Sequence, residues 1–228
     1  MLSLRACVSK SELANENQLK DVLCIEFPER PKLKVVDRVP TYPAGIRPPK
    51  MQKRLRYMRG PELVHTELLH KQYAIIATGG GRMRWEHFEL IRLAITRKID
   101  VKRMFAIWRI DPPWQPVTKK GQGQRMGGGK GAIDHYVTPI KAGRVIVEMG
   151  GYCEFAEVQS ILQNVGNKLP LAIEVVSQEM LDKRKAKEER LEKLNLNKWS
   201  FEYIVKNNMG GCANWISPVD RIWFGKYR

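Results

Sequence analysis

Ile133-Asp-His-Tyr-Val-Thr-Pro-Ile-Lys-Ala-Gly-Arg-Val-Ile-Val-Glu-Met149 holds two β-rich runs on either side of Lys141-Ala-Gly-Arg144. β-Branched and aromatic side chains fit a pleated surface, and a short glycine-bearing break suits a turn. The stretch therefore predicts that Arg144–Met149 pairs as a hairpin with the strand before it. So short a connection implies antiparallel neighbours, because a parallel crossover needs a dozen residues or more. A sheet built from repeated βαβ units is excluded.

Downstream, Gly150-Gly151 ends the second run and Glu154–Lys168 follows. Phe155, Val158, Ile161, Leu162 and Val165 recur there at helical steps, and Pro170 stops the helix. Ile173–Val176 is a last short strand. Upstream, Tyr73-Ala-Ile-Ile-Ala-Thr78 predicts a buried strand ended by Gly79-Gly80-Gly81. Trp85, Phe88, Ile91, Ile95 and Ile99 predict an amphipathic helix, with Arg92 and Arg97 on its other face. Met104–Ile110 is a further strand, and Asp111-Pro-Pro-Trp-Gln-Pro116 opens a long loop. The order β-α-β-loop-β-β-α-β predicts an α+β fold over residues 71–178: an antiparallel β-sheet sandwich with two helices packed on one side.

Extensions flank this region. Residues 1–70 form an irregular, basic N-terminal arm, broken by Pro28, Pro31, Pro40, Pro43, Pro48, Pro49 and Pro61. Lys50, Lys53, Arg54, Arg56 and Arg59 make its basic run, suited to threading along a charged partner. Residues 179–228 combine a charged helix with an aromatic tail. Gln178–Leu194 has only a thin apolar stripe (Leu181, Leu191, Leu194), as a solvated surface helix would. Trp199, Phe201, Tyr203, Trp215, Trp223, Phe224 and Tyr227 then need a surface to bury them.

The 228 residues carry 40 Lys+Arg against 24 Asp+Glu, a net charge of +16. A chain that repels itself so strongly calls for a polyanion, nucleic acid first and an anionic membrane surface second. No apolar run approaches the ~20 residues that span a bilayer, so membrane insertion is not expected. Cys7, Cys24, Cys153 and Cys212 are scattered without a CxxC pair, which predicts neither a zinc site nor a disulfide framework. MLSLRACVSKS at the start carries Arg5 and Lys10 and no acid, the composition of a mitochondrial presequence and equally of an ordinary terminus.

The chemistry concentrates in Lys119-Lys-Gly-Gln-Gly-Gln-Arg-Met-Gly-Gly-Gly-Lys-Gly131, with four cations, six glycines and no acid. Glycines let backbone N–H groups approach phosphates, while Lys119, Lys120, Arg125 and Lys130 supply charge. A Walker loop would need glycine at Gln124 and Ser or Thr at Gly131; a dinucleotide fingerprint would need glycine at Met126 and a following helix. Neither pattern is met. A second cluster, Gly79-Gly-Gly-Arg82-Met-Arg84, sits at a strand-to-helix turn where a phosphate can meet the helix start. Nothing predicts catalysis: Asp134-His135 lacks a nucleophile nearby, and His65, His70 and His87 read as surface or packing residues. No cofactor is expected.

Arg125-Met-Gly-Gly-Gly-Lys-Gly131, Asp134-His-Tyr136 and Ala142-Gly-Arg-Val-Ile-Val-Glu-Met149 resemble the bacterial-type ribosomal protein L-sixteen family of the large subunit. The likeness runs from about Tyr73 through Glu179. It includes Gly81-Arg82, Trp108-Arg109 and Lys168-Leu-Pro170. Gly127–Gly129, Met104-Phe-Ala-Ile-Trp-Arg109 and the added terminal segments look most similar to the mitochondrial branch. Where bacterial members usually have lysine, this chain has Gly128.

The resemblance implies a non-enzymatic component of the mitochondrial large ribosomal subunit, in the matrix. Its partners would be large-subunit rRNA, neighbouring ribosomal proteins, and tRNA near the peptidyl-transferase centre. Arg125, Met126, Gly127, Gly129, Lys130 and Gly131 would form the loop on RNA, with Gly128 between them in place of the family's lysine, and Arg82 would touch rRNA. Arg84, Lys119 and Lys120 join them on charge and position. The alternative from a different class is a membrane-surface or protein-bridging module using the basic arm and aromatic tail.

Overall fold

The computed structural model describes residues 27–227, so the presequence reading, with Cys7 and Cys24, lies outside the described residues. The elements are β1 (Tyr73–Ala77), β2 (Gly81–Arg84), α1 (Trp85–Thr96), β3 (Met104–Trp108), β4 (Gln115–Lys119), β5 (Ala132–Ile140), β6 (Val145–Gly151), α2 (Phe155–Gly166) and β7 (Ile173–Ser177). After them come α3 (Gln178–Leu194), α4 (Phe201–Lys206) and α5 (Pro218–Trp223). Two antiparallel sheets, ordered β3-β6-β1-β7 and β2-β5-β4, bear out the α+β sandwich.

The core forms where the apolar periodicities meet. Phe88, Ile91 and Ile95 of α1 and Val158, Ile161, Leu162 and Val165 of α2 are buried, and the two helices pack on each other. Ile75 and Ala77 of β1 and Val147 and Met149 of β6 join the same cluster. Every residue of β6 is buried, as expected for a strand with neighbours on both edges and packing on both faces.

That burial corrects the hairpin expected between β5 and β6. β6 pairs with β1 and β3, whereas β5 pairs with β2 and β4, so both edges of each are already taken. The chain changes sheet at Lys141–Arg144. Gly143, at φ +89°, donates its N–H to Ala77 O (2.7 Å), and Ala77 donates to Arg144 O (3.0 Å). The turn is thus fastened to the end of β1. The long loop also needs correcting, because Gln115–Lys119 within it is β4, the edge partner of β5. Likewise the glycine turn before α1 includes β2, whose four residues pair with β5.

Residues 27–72 contain one 3-10 turn, Leu55–Tyr57, and otherwise cross the body as an irregular strap. Pro31 O accepts from Ala106 N (2.9 Å); Lys34 O and Val36 O accept the indole N–H groups of Trp108 and Trp85, each at 2.8 Å. Leu33 is buried in the main cluster, and Leu68 packs with Ala74 and Val145. At the other end α3 buries no residue, in line with a solvated helix. The tail folds back on the strap, where the Trp223 indole lies so close to Gly60 that a Cβ there would sit 2.7 Å away.

Candidate nucleic-acid interface

β4 and β5 form a hairpin whose neck pairs Thr118 with Ile133 and Lys119 with Ala132. The residues from 120 to 131 make its tip, and positions 121–130 are all exposed. Gly123, Gly127, Gly128 and Gly129 have positive φ, from 65° to 94°, with nothing within 4 Å of where a Cβ would stand. Glycine is favoured there by backbone conformation rather than by crowding. Gly131 differs, since a Cβ would lie 2.5 Å from Lys119 O across the neck. Met126 is 97% exposed.

The four cations of the tip and its neck divide in two. Lys120 Nζ donates to Gly127 O at 2.6 Å and to Arg125 O at 3.3 Å, which ties the tip together. Lys130 Nζ donates to Lys50 O (2.6 Å) and Met51 O (2.8 Å), and Lys50 Nζ donates back to Lys130 O (3.4 Å). These bonds anchor the tip to the basic run of the strap. Among the described residues, Lys119 and Arg125 make no side-chain hydrogen bond or ion pair, so their charge faces outward.

Arg82 and Arg84 lie at the far end of the same sheet, opposite Pro139 and Val137 of β5. Pro139 and Val137 lie seven and five residues from Ala132, so about 24 Å of strand separates Arg82 from the neck and about 17 Å separates Arg84 from it. Arg84 is exposed and half-buried Arg82 is tucked in. Arg84 N donates to His87 Nδ1 (3.0 Å), capping the start of α1. The structure brings Lys53, His87 and His135 to Arg82 and Arg84 as the lining of one groove. Sequence reasoning did not join these residues. The strap delivers Lys53 and the register of β5 delivers His135, and neither is written in local spacing.

His135 Nδ1 lies 2.8 Å from Asp134 Oδ2. That hydrogen bond holds the Asp134 carboxyl below its usual range, with Lys119 and Arg84 adding their positive field. His87 is pushed below the ordinary imidazole value chiefly by burial. Among the described residues no group of His, Cys, Asp and Glu is arranged to hold a metal ion.

Residues 46–176 match the family model described as Ribosomal protein L16p/L10e. The chain is also 32% identical over 133 residues to "Large ribosomal subunit protein uL16" of Acholeplasma laidlawii (strain PG-8A). That alignment covers 55% of this chain and 94% of the relative. The family match takes in the basic run of the strap, both sheets and the hairpin tip, and it ends just before α3.

Proposed function

The chain belongs to the ribosomal protein L16p/L10e family, and from that premise we propose that it serves in the large subunit of the mitochondrial ribosome, clamping rRNA and helping to position tRNA near the peptidyl-transferase centre. It is a structural ribosomal protein, not an enzyme. The observation that carries the RNA-binding reading is the hairpin tip. Its backbone is held open by glycines at positive φ, and the exposed Arg125 and Lys119 have no side-chain partner among the described residues. An outward guanidinium beside bare backbone suits a phosphodiester or the face of a base. Arg82, Arg84, Lys120, Met126, Gly127, Gly128, Gly129, Lys130 and Gly131 complete the surface assigned to RNA. The net charge of +16 supplies the long-range attraction. Mitochondrial placement rests on the Gly127–Gly129 run, the Met104–Arg109 phrase and the segments added at either side of the family match.

Two measurements test this. In gradient-fractionated mitochondrial lysate, the chain should co-sediment with large subunits through a moderate-salt wash; retention by membranes instead rejects the reading. With purified protein and a large-subunit rRNA fragment, Arg125→Ala with Lys130→Ala should flatten the log–log salt dependence by about two units. An unchanged slope means that Arg125 meets no phosphate and that Lys130 serves only to anchor the tip to the strap. No helix of the described residues is long and apolar enough to cross a membrane.

A further inference from the structure

The tail brings an apolar stripe to the strap and leaves part of it uncovered. α5 opens with Pro218, suited to the first turn of a helix, and Ser217 Oγ caps it by accepting from Asp220 N (3.2 Å). Helical spacing then puts Val219, Ile222 and Trp223 on one face. Trp223 spends its indole against Gly60 of the strap. Ile222 remains 61% exposed, and Leu55 on the strap is 46% exposed.

Both line a recess of about 520 Å³, within the size range of ligand pockets. Leu55, Val219 and Ile222 make its lining aliphatic; Arg56, Arg59 and Lys141 make it cationic, and no acid lines it. None of these three cations has an ion-pair partner among the described residues. The wall from the tail falls beyond residues 46–176, so the recess is an addition to the family body.

Three kinds of partner carry the complementary charge, and the lining separates them. RNA bases stack on open aromatic faces. Here Trp223 lies on Gly60, while the Tyr57 ring takes the Arg56 guanidinium at 5.3 Å and packs edge-on with Trp114 at 5.7 Å. A membrane surface takes apolar side chains that protrude, whereas these line a recess. A protein segment supplies aliphatic side chains and carboxylates together, which matches a lining both aliphatic and cationic.

We propose that the recess docks an acidic, amphipathic segment of another protein, whose apolar side chains enter beside Leu55 and Ile222 while its carboxylates meet Arg56, Arg59 and Lys141. This goes beyond the RNA-binding reading and does not depend on it, because the hairpin tip takes no part in the recess.

The test titrates the full chain into a fluorescein-labelled helical peptide with leucines on one face and glutamates on the other, read by anisotropy. A peptide of the same composition with its leucines scattered controls for charge alone. The striped peptide should bind ~10-fold tighter or more, since one well-buried leucine contributes that much. Equal affinities would show only the pull of a net charge of +16 and overturn the proposal. Ile222→Asp should weaken the striped peptide by ~10-fold and leave the Tm unchanged, the side chain being exposed. Unchanged affinity would place the peptide elsewhere and overturn the recess. Should Ile222→Asp not fold, Leu55→Asp on the strap wall replaces it, with the same two outcomes. Lys141→Glu should weaken the striped peptide severalfold and Lys141→Arg should not; equal losses would make Lys141 a packing residue and overturn the charge match. Two further arms examine the rivals. If Ile222→Asp lowers affinity for a large-subunit rRNA fragment, or for vesicles of phosphatidylcholine and phosphatidylglycerol, while peptide binding is unmoved, the recess belongs to RNA or to lipid and the protein partner is overturned. The Arg125/Lys130 titration is separate, since neither residue lines the recess: its failure would sink the RNA reading alone.

Discussion

A carboxylate with no solvent exposure has to be answered from inside the protein. Glu148, in the middle of β6, is fully buried. It accepts from His70 N at 2.6 Å and Leu69 N at 3.1 Å, and Arg109 Nε lies 3.6 Å away. Glu148→Ala strands Arg109 and two strap N–H groups together, a loss of about 3–5 kcal/mol that a urea midpoint would register. A shift under 1 kcal/mol would mean that water replaces the carboxylate. The acid stands out in Val-Ile-Val-Glu-Met, yet its partners lie 78 and 79 residues upstream, so the sequence shows an anomaly without its answer. Arg82 and His135 share this limit: each is visible as a residue, and only strand register makes them neighbours. Cys153 is a simpler case. Burial, with Glu157 adding to it, pushes its thiol up to about 11, so it stays protonated near neutrality. Iodoacetamide at pH 8 should label Cys153 slowly in the native chain and readily in urea, as read by peptide mass spectrometry.

Among the elements, the β4–β5 hairpin shows what sequence patterns reveal and conceal. The tip is legible because cations and glycines without acids make a pattern that needs no tertiary context. β4 is concealed by Pro112, Pro113 and Pro116, yet it is an edge strand, where a residue lacking an N–H is tolerated. β2 is concealed because Gly81-Arg-Met-Arg84 is too short to show a period of two. The tip also permits an addition. At Gly128, where the bacterial-type family usually has lysine, φ is +65° and a Cβ would meet nothing within 4 Å beyond its chain neighbours. Gly128→Lys should therefore cost only the left-handed backbone penalty, about 1–2 kcal/mol. It should steepen the salt dependence of RNA binding by about one unit. An unchanged slope would place residue 128 away from phosphate. By contrast, a Cβ at Gly131 meets Lys119 O at 2.5 Å, so Gly131→Ala is a neck mutation and alters the aim of the whole tip.

For the whole molecule, the two ends contribute unequally. The strap lends Leu33 and Leu68 to buried clusters, each worth about 1.5–3 kcal/mol. It accepts the indole N–H of Trp85 in a part-buried bond, where an orphaned donor costs about 1 kcal/mol, and that of Trp108 in an exposed bond that water can replace. It also feeds two donors to Glu148 and accepts from Gln178 N through Gln72 O (2.9 Å). Together these approach the ~5–15 kcal/mol by which a typical domain is stable at all. Residues beyond Leu194 form a smaller set: Cys212 and Ile216 are buried and Trp223 covers Gly60, while Trp199 and Trp215 are largely exposed. A chain starting at Tyr73 should therefore show no cooperative melt by far-UV circular dichroism. One ending at Leu194 should melt cooperatively within several degrees of the full chain. If the chain starting at Tyr73 melts close to the full-length Tm, the strap is only a passenger on a self-sufficient body, and the irregular arm matters for RNA alone. If the C-terminal truncation collapses the transition instead, the contact of Trp223 with Gly60 holds the strap in place, and the order of importance reverses.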